Sequence, residues 1–359
     1  MNLPPLPLVD GCLFVDNSML ELLTTCPRAL EYNKLHQRIA SNEKPSLNFG
    51  SAIHLALEYR YQRYHSGIVD AQYHNDVAVL LSDFFEQHPC PLEDFRTLNW
   101  ALEIVKQYNQ RFAVEEFSLL KYDEPQTCTH CNGQGHDWED ASMQATVGCR
   151  WCNETGKLSM MVELPFALPL AKINGVDVIY SGRIDLPTIH SDQLWVMDHK
   201  TTSMIGAQFW DKMRMSAQQK GYAWAFQELT GKQVHGYIIN AIRTKEPPLY
   251  ITNPDAPKRG KATSPETWWG ESLSRERYYI KPGELTEWKH NAIALVEEFF
   301  YHYAKGYMPM KTAWCANFGR CPYFDVCSTT ASDRGVMLSS GLFMQNTWDP
   351  LRKPSAPKQ

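Results

Sequence analysis

At 359 residues, with 43% hydrophobic and 12% aromatic side chains, the chain can bury a core large enough for one elaborated domain or two smaller ones. No apolar run reaches the roughly 20 residues that span a bilayer, and the Pro- and Leu-rich start lacks the basic opening and long apolar stretch of a secretory signal, which argues for a soluble protein of the cytoplasm. The net charge of −5 gives no sign of a uniformly basic nucleic-acid binder, so a polyanion would have to be met by a local basic groove or by metal ions that offset acidic side chains.

Ser18-Met19-Leu20-Glu21 has the pattern of a capping box and predicts a helix carrying Leu22, Leu23 and Cys26. Pro27, which lacks the amide a helix interior uses, marks a break between two short helices. Gly50 to Tyr64 is predicted helical, as is most of the stretch from about Ala71 to Leu120. Pro125 to Gly156, rich in Gly and Cys and without periodicity, has the character of an inserted module. Strands are predicted at Met160 to Leu168, Val176 to His190 and Leu194 to Lys200, followed by a helix from about Ala207 to Leu229 and a strand from Val234 to Ile242. The order helix, three strands, helix, strand is an α/β arrangement. Thr244 to Pro265 is Pro-rich and polar, and Lys258, Arg259 and Lys261 mark it as a basic loop. Leu285 to Tyr303 is predicted helical and the tail beyond Asp349 disordered. This divides the chain into an N-terminal helical region over 1–124, the inserted module over 125–157 and a core over 158–245. A basic loop, helix and cysteine-rich segment over 246–348 and a tail over 349–359 complete it.

The sharpest chemical signal is Gly182-Arg183-Ile184-Asp185 followed by Val196-Met197-Asp198-His199-Lys200. Strand side chains alternate, so Asp198 and Lys200 share a face and His199 takes the other. A tight hairpin turning at Ser191-Asp192 sets Asp185 opposite Asp198, with Cβ atoms about 4.5–5.5 Å apart, where like charges repel. A divalent cation between them removes the repulsion. Phosphodiester hydrolysis asks for such an arrangement: a Lewis acid, an activated water and a cation such as Lys200 near the developing charge. Taken alone, Asp-x-Lys is more often a surface salt pair.

These residues resemble the metal-binding core of the PD-(D/E)XK nucleases, in which an Asp precedes a (D/E)xK on the next strand. Gly50-Ser51-Ala52-Ile53-His54 is similar to the helical motif of the RecB-like members, and Gln218-Gln219-Lys220-Gly221-Tyr222 to their QxxxY motif. The resemblance covers about Ser18 to Cys327 and implies a restriction-endonuclease-like core. It also implies that His54, Asp185 and Asp198, with the backbone carbonyl of His199, hold Mg²⁺ or Mn²⁺. Lys200 would assist catalysis, and Gln218 and Tyr222 would support the site or bind substrate. Glu163, on the preceding strand, is a candidate accessory ligand, and a solvent-facing strand carboxylate explains it equally well. The implied activity is that of a DNA exonuclease working from single-stranded ends in recombination, repair or CRISPR or phage DNA processing, with a partner protein from such a pathway, in a bacterial or phage-infected cell.

Eight of the ten cysteines fall into two clusters with ligand-like spacing, which speaks for metal rather than disulfides. Cys315, Cys321 and Cys327 follow one another with five residues between, and three thiolates need a fourth ligand. In AddB-like and CRISPR-associated RecB-like nucleases an N-terminal Cys completes a 4Fe–4S site, and Cys26 matches that position. The even spacing departs from the tighter one common in those families and leaves zinc as a second occupant. Cys128-Thr129-His130-Cys131 and Cys149-Arg150-Trp151-Cys152, seventeen residues apart, form two knuckles suited to a closed tetrahedral Zn²⁺ site and are similar to those of the DnaJ cysteine-rich domain. His130 and His136 stand nearby as alternative ligands. Trp268-Trp269 and Tyr278-Tyr279, beside Arg275 and Arg277, either stack bases of a single strand or pack inward, and inward packing is the commoner fate. Two rival readings remain: a nuclease fold without activity that binds DNA or protein, and a zinc-dependent chaperone-like adaptor built on the knuckles.

Overall fold

The computed structural model describes residues 3–41, 45–63, 70–138, 146–149, 151–152, 154–253, 255, 263–316 and 319–346. The basic loop around Lys258, Arg259 and Lys261 and the tail beyond Asp349 lie outside them. Two short strands, β1 (Leu8–Val9) and β2 (Cys12–Val15), precede helix α1 (Asn17–Thr25). Helices α2 (Pro45–Arg63), α3 (Ala71–Gln87) and α4 (Leu98–Arg111) follow, then β3 (Ser118–Leu119) and the cysteine-rich insert. The core runs β4 (Leu164–Ile173), β5 (Val176–Ile184), β6 (Leu186–His190), β7 (Gln193–Thr202), α5 (Ala207–Arg214), α6 (Ala217–Thr230) and β8 (Val234–Arg243), and β9 (Leu273–Tyr279) and α7 (Glu284–Ala304) close it. Among the described residues, no helix is long and apolar enough to cross a membrane.

The strands form a five-stranded sheet in the order β9-β8-β7-β6-β3 and a four-stranded sheet in the order β1-β2-β5-β4. β7 and β8 are parallel, and α5 and α6 make the crossover that parallel neighbours require. Both faces of the larger sheet are covered, so Leu194 to Met197 of β7 and Tyr237 to Ile239 of β8 are continuously apolar. Trp195, Met197, Ile238 and Ile242 face one core with α2, α3, α4 and the four insert cysteines, while Val196, Val234, Tyr237 and Ile239 face another with α1, α6 and α7.

The predicted hairpin is present with the predicted turn. β6 pairs with β7 from Leu186↔Met197 to His190↔Gln193, and Ser191 and Asp192 both take positive φ, as a two-residue turn of that hand demands. Several boundaries differ from the sequence reading: the helix expected from Gly50 already begins at Pro45, and the strand expected from Met160 to Leu168 gives way to one ending at Met160 and to β4 beginning at Leu164. Helix α1 is capped by Asp16, whose carboxylate accepts from the Met19 amide at 2.7 Å, and Ser18 lies inside the helix, donating to that same carboxylate. The helix predicted from Ala207 to Leu229 is split at Met215–Ser216, where the Tyr237 hydroxyl donates to the carbonyl of Arg214 at 2.9 Å and satisfies the broken end. The long strand predicted from Val176 to His190 is interrupted at Asp185, where the chain passes from one sheet to the other.

Candidate active site

That interruption builds the site. Asp185 joins β5 to β6, so acidic neighbours reach it from both sheets. In the larger sheet the β6–β7 register runs directly toward Asp198, and the His199 amide donates to Asp185 Oδ2 at 2.8 Å. In the smaller sheet the β4–β5 ladder ends at Ile184↔Leu164, and the next residue, Glu163, donates its amide to the Asp185 carbonyl at 2.9 Å. Glu163 occupies a bend rather than the strand assigned to it, with φ 52, an uncommon conformation for this residue type. Helix α2 supplies His54, whose Nδ1 stands 3.6 Å from Asp185 Oδ2. Gly50, one turn earlier, makes that approach feasible: a Cβ there would stand 2.8 Å from Thr201 Oγ1 at the end of β7. Ligand atoms of His54, Glu163 and Asp185 lie within 4.8 Å of one another. Asp198 is not in this tight trio, and its Oδ2 lies 2.6 Å from Lys200 Nζ.

The electrostatics are those of a site that asks for a cation. Burial, with the charges of Asp198 and Glu163, pushes the Asp185 carboxyl well above its ordinary range. Burial likewise lowers the pKa of His54, so its imidazole is available in the neutral, metal-binding form. For Lys200 burial opposes the charged form, but Asp198 and Asp185 outweigh it and the pKa rises. A donor set of carboxylate oxygens and one imidazole suits a hard divalent ion.

From Lys200 a chain of polar contacts leads across to α6 and α1. Lys200 Nζ donates to Gln218 Oε1 at 2.9 Å, and Gln218 Nε2 donates to the Tyr222 hydroxyl at 3.1 Å. Burial and the nearby Asp198 and Asp185 raise the Tyr222 pKa, so the phenol stays neutral. Asn17, absent from the sequence reading, bonds Tyr222 and accepts from the Tyr180 hydroxyl at 3.0 Å. A second network lies behind His199. Asn240 Nδ2 stands 2.7 Å from His199 Nδ1, while Arg275 Nε donates to Asn240 Oδ1 at 3.1 Å and fixes the amide's orientation. Arg275 also pairs with Glu115, and Tyr61 stacks on the His199 ring at 5.7 Å. Burial and the neighbouring His54 and Arg275 lower the His199 pKa strongly. Arg275 therefore serves the core, and Trp268, Trp269 and Tyr278 are buried as well, which leaves Tyr279 exposed among those aromatics.

The insert gathers Cys128, Cys131, Cys149 and Cys152, all buried, with sulfurs within 4.8 Å of one another. The Cys128–Cys149 and Cys131–Cys152 sulfurs are 4.0 and 3.7 Å apart, close to the roughly 3.8 Å that a tetrahedron of 2.3 Å Zn–S bonds requires. The amides of Gly135 and Gly156 donate to Cys131 Sγ and Cys152 Sγ, each at 3.2 Å, the same bond in both knuckles. Burial, with Cys131 and Cys152 adding to it against two backbone amides, raises the Cys128 thiol to about 11, whereas at Cys131 the Gly135 amide and neighbouring sulfurs outweigh burial and lower the pKa. A metal-binding four-thiolate site fits these residues. His130 stacks on Trp151 at 3.9 Å instead of joining the ligands.

Cys26, Cys321 and Cys327 border one small apolar cluster that includes Tyr32, Tyr323 and Phe343, and the Cys321 amide donates to the Cys315 carbonyl at 2.9 Å. Burial raises the Cys327 thiol pKa, with Cys26 and Cys321 adding to it and a bond from Tyr32 opposing it. These four do not form a group as tight as the insert quartet. The surrounding segments tie the two ends of the described chain together: Arg28 Nε donates to the Met308 carbonyl at 2.7 Å, and residues 38–40 pair with 343–345.

The fold and this carboxylate–lysine site define a metal-dependent nuclease of α/β architecture. The profile of the PD-(D/E)XK nuclease superfamily matches residues 17–328, and the chain belongs to that superfamily. No curated protein matches it.

Proposed function

We propose that the chain is a DNA exonuclease of the RecB/AddB-like type that hydrolyses phosphodiester bonds with Mg²⁺ or Mn²⁺. The supporting observation is the convergence on Asp185 of Asp198 and Glu163 from two sheets and His54 from α2, with Lys200 2.6 Å from Asp198. His54, Asp185 and Asp198, the His199 carbonyl and Glu163 would hold the metal. A divalent ion bound there supplies Lewis acidity to the phosphoryl group and makes hydroxide accessible at neutral pH. The protonated Lys200 offers a positive charge to the phosphoryl oxygens as the transition state develops. Gln218 and Tyr222 fix the direction of that ammonium, and the neutral Tyr222 phenol remains a donor toward a phosphate. The insert quartet takes Zn²⁺, and Cys26, Cys315, Cys321 and Cys327 take a 4Fe–4S cluster, whose body is larger than one ion and tolerates a wider spacing of thiolates. Both act as structural staples. Single-stranded ends, and a place in recombination, repair or CRISPR or phage DNA processing in the cytoplasm, follow from the resemblance.

Linear and covalently closed single-stranded DNA, each with Mg²⁺, separate the possibilities. An exonuclease degrades the linear substrate and spares the circle. Cleavage of the circle would make the protein an endonuclease, and binding without cleavage of either would favour a DNA-binding module.

A further inference from the structure

The insert does not stand apart from the catalytic residues. Helix α2 carries His54 and, one turn on, Glu58, so both side chains project from one helix face. Glu58 is 7% exposed and lies four residues along α2 from His54 on that face. On its other side His130 Nε2 approaches Glu58 Oε1 at 3.7 Å. His130 is the residue immediately before Cys131, and its ring lies flat on Trp151, immediately before Cys152, at 3.9 Å and 2° between planes. Trp151 in turn meets Tyr59 of α2 edge-on at 5.4 Å. One residue from each knuckle therefore joins a single stacked pair, and that pair abuts the α2 turn just beyond His54. The stack can persist only while both knuckles are held together.

We propose that Glu58 and His130 are positioning residues that tie the four-cysteine module to the catalytic helix, so that metal at the cysteines fixes where His54 stands. This rests on the nuclease reading and extends it. A metal-ligating histidine needs a partner that sets its ring orientation, and carboxylates commonly fill that role. Glu58 stands one turn along α2 from His54, and His130 of the insert approaches it at 3.7 Å. Zinc in the insert thereby preorganises the active-site metal position without touching it.

The test uses the full chain and reads Mn²⁺ binding by electron paramagnetic resonance beside zinc content and melting temperature. Glu58→Ala is expected to weaken Mn²⁺ binding about tenfold, as loss of such a partner does elsewhere, with one zinc per chain retained at the cysteines. His130→Ala weakens it in the same direction, and His130→Gln, whose amide can donate toward Glu58, restores most of the affinity. Should His130→Ala lose its zinc, Glu58→Gln, which leaves the knuckles intact, decides. Wild-type affinity in Glu58→Ala and Glu58→Gln, whatever their melting temperatures, would overturn the assignment. Wild-type protein that binds no Mn²⁺ would overturn it together with the nuclease reading, whereas effects confined to the variants leave that reading standing.

Discussion

Lys200 carries the charge balance of the site, and replacing it with methionine measures that role. Its ammonium lies 2.6 Å from Asp198 Oδ2, and Asp198 is 2% exposed, so Lys200→Met leaves a buried carboxylate without its cation. Removing one partner of a fully buried pair costs about 3–5 kcal/mol. The Lys200 side chain keeps 25% of its exposure, and solvent screening lowers the expected loss to about 2–3 kcal/mol. Urea denaturation followed by tryptophan fluorescence gives the number, with Mg²⁺ and Mn²⁺ withheld rather than chelated so that the cysteine sites keep their metal. Mn²⁺ then narrows the gap to wild type, because it takes over the countercharge that Lys200 supplied. In an Asp198→Asn background the same substitution costs little, since the carboxylate it served is gone. A Lys200→Met protein as stable as wild type, or one equally destabilised with and without Asp198→Asn, would refute the reasoning.

Glu163→Gln removes the repulsion across the β4–β5 ladder and is expected to raise metal-free stability by about 0.5–1 kcal/mol while shrinking the stabilisation gained from Mn²⁺. Denaturation with and without the ion checks both, and a lower metal-free stability would assign Glu163 to the bend instead. Gly221→Ala puts a methyl 2.7 Å from a ring carbon of Trp288 and against the Tyr180 hydroxyl, an overpacking that costs about 1–3 kcal/mol and shows as an earlier urea midpoint. Anaerobically purified protein is expected to be brown, with visible absorption lost in Cys327→Ser. A colourless, zinc-only preparation contradicts the cluster assignment and leaves the nuclease reading intact.

What the sequence disclosed was governed by local rules. The alternation of Asp198, His199 and Lys200, the two-residue turn at Ser191–Asp192 and the four-residue step from Gln218 to Tyr222 follow from strand and helix periods, and each is present. The Gly50–His54 step has its reason in the approach of α2 to Thr201, which spacing hints at but cannot demonstrate. Partners brought from far along the chain were not legible. Tyr237 caps α5 from a neighbouring strand, Asn17 reaches Tyr222 from α1, and Glu115 meets Arg275 across 160 residues. Glu163 could be named as a candidate ligand from its place before the hairpin, but its facing Asp185 depends on the register of β4 against β5, which no local pattern sets. The CxxC spacing announced a metal site but not its seat on α2, which depends on His130 and Trp151 packing against a helix far earlier in the chain.

Metal-dependent phosphodiester hydrolysis is proposed for the Asp185–Asp198–Lys200 centre. The measurement that meets it most directly follows end-labelled single-stranded DNA with wild-type and Lys200→Met protein, with Mg²⁺ supplied and with it withheld. The wild type is expected to cleave with Mg²⁺ alone, and Lys200→Met to lose at least about a hundredfold in rate even where Mg²⁺ has restored its stability. Cleavage that persists without added divalent ions, or that Lys200→Met retains at the wild-type rate, would contradict it.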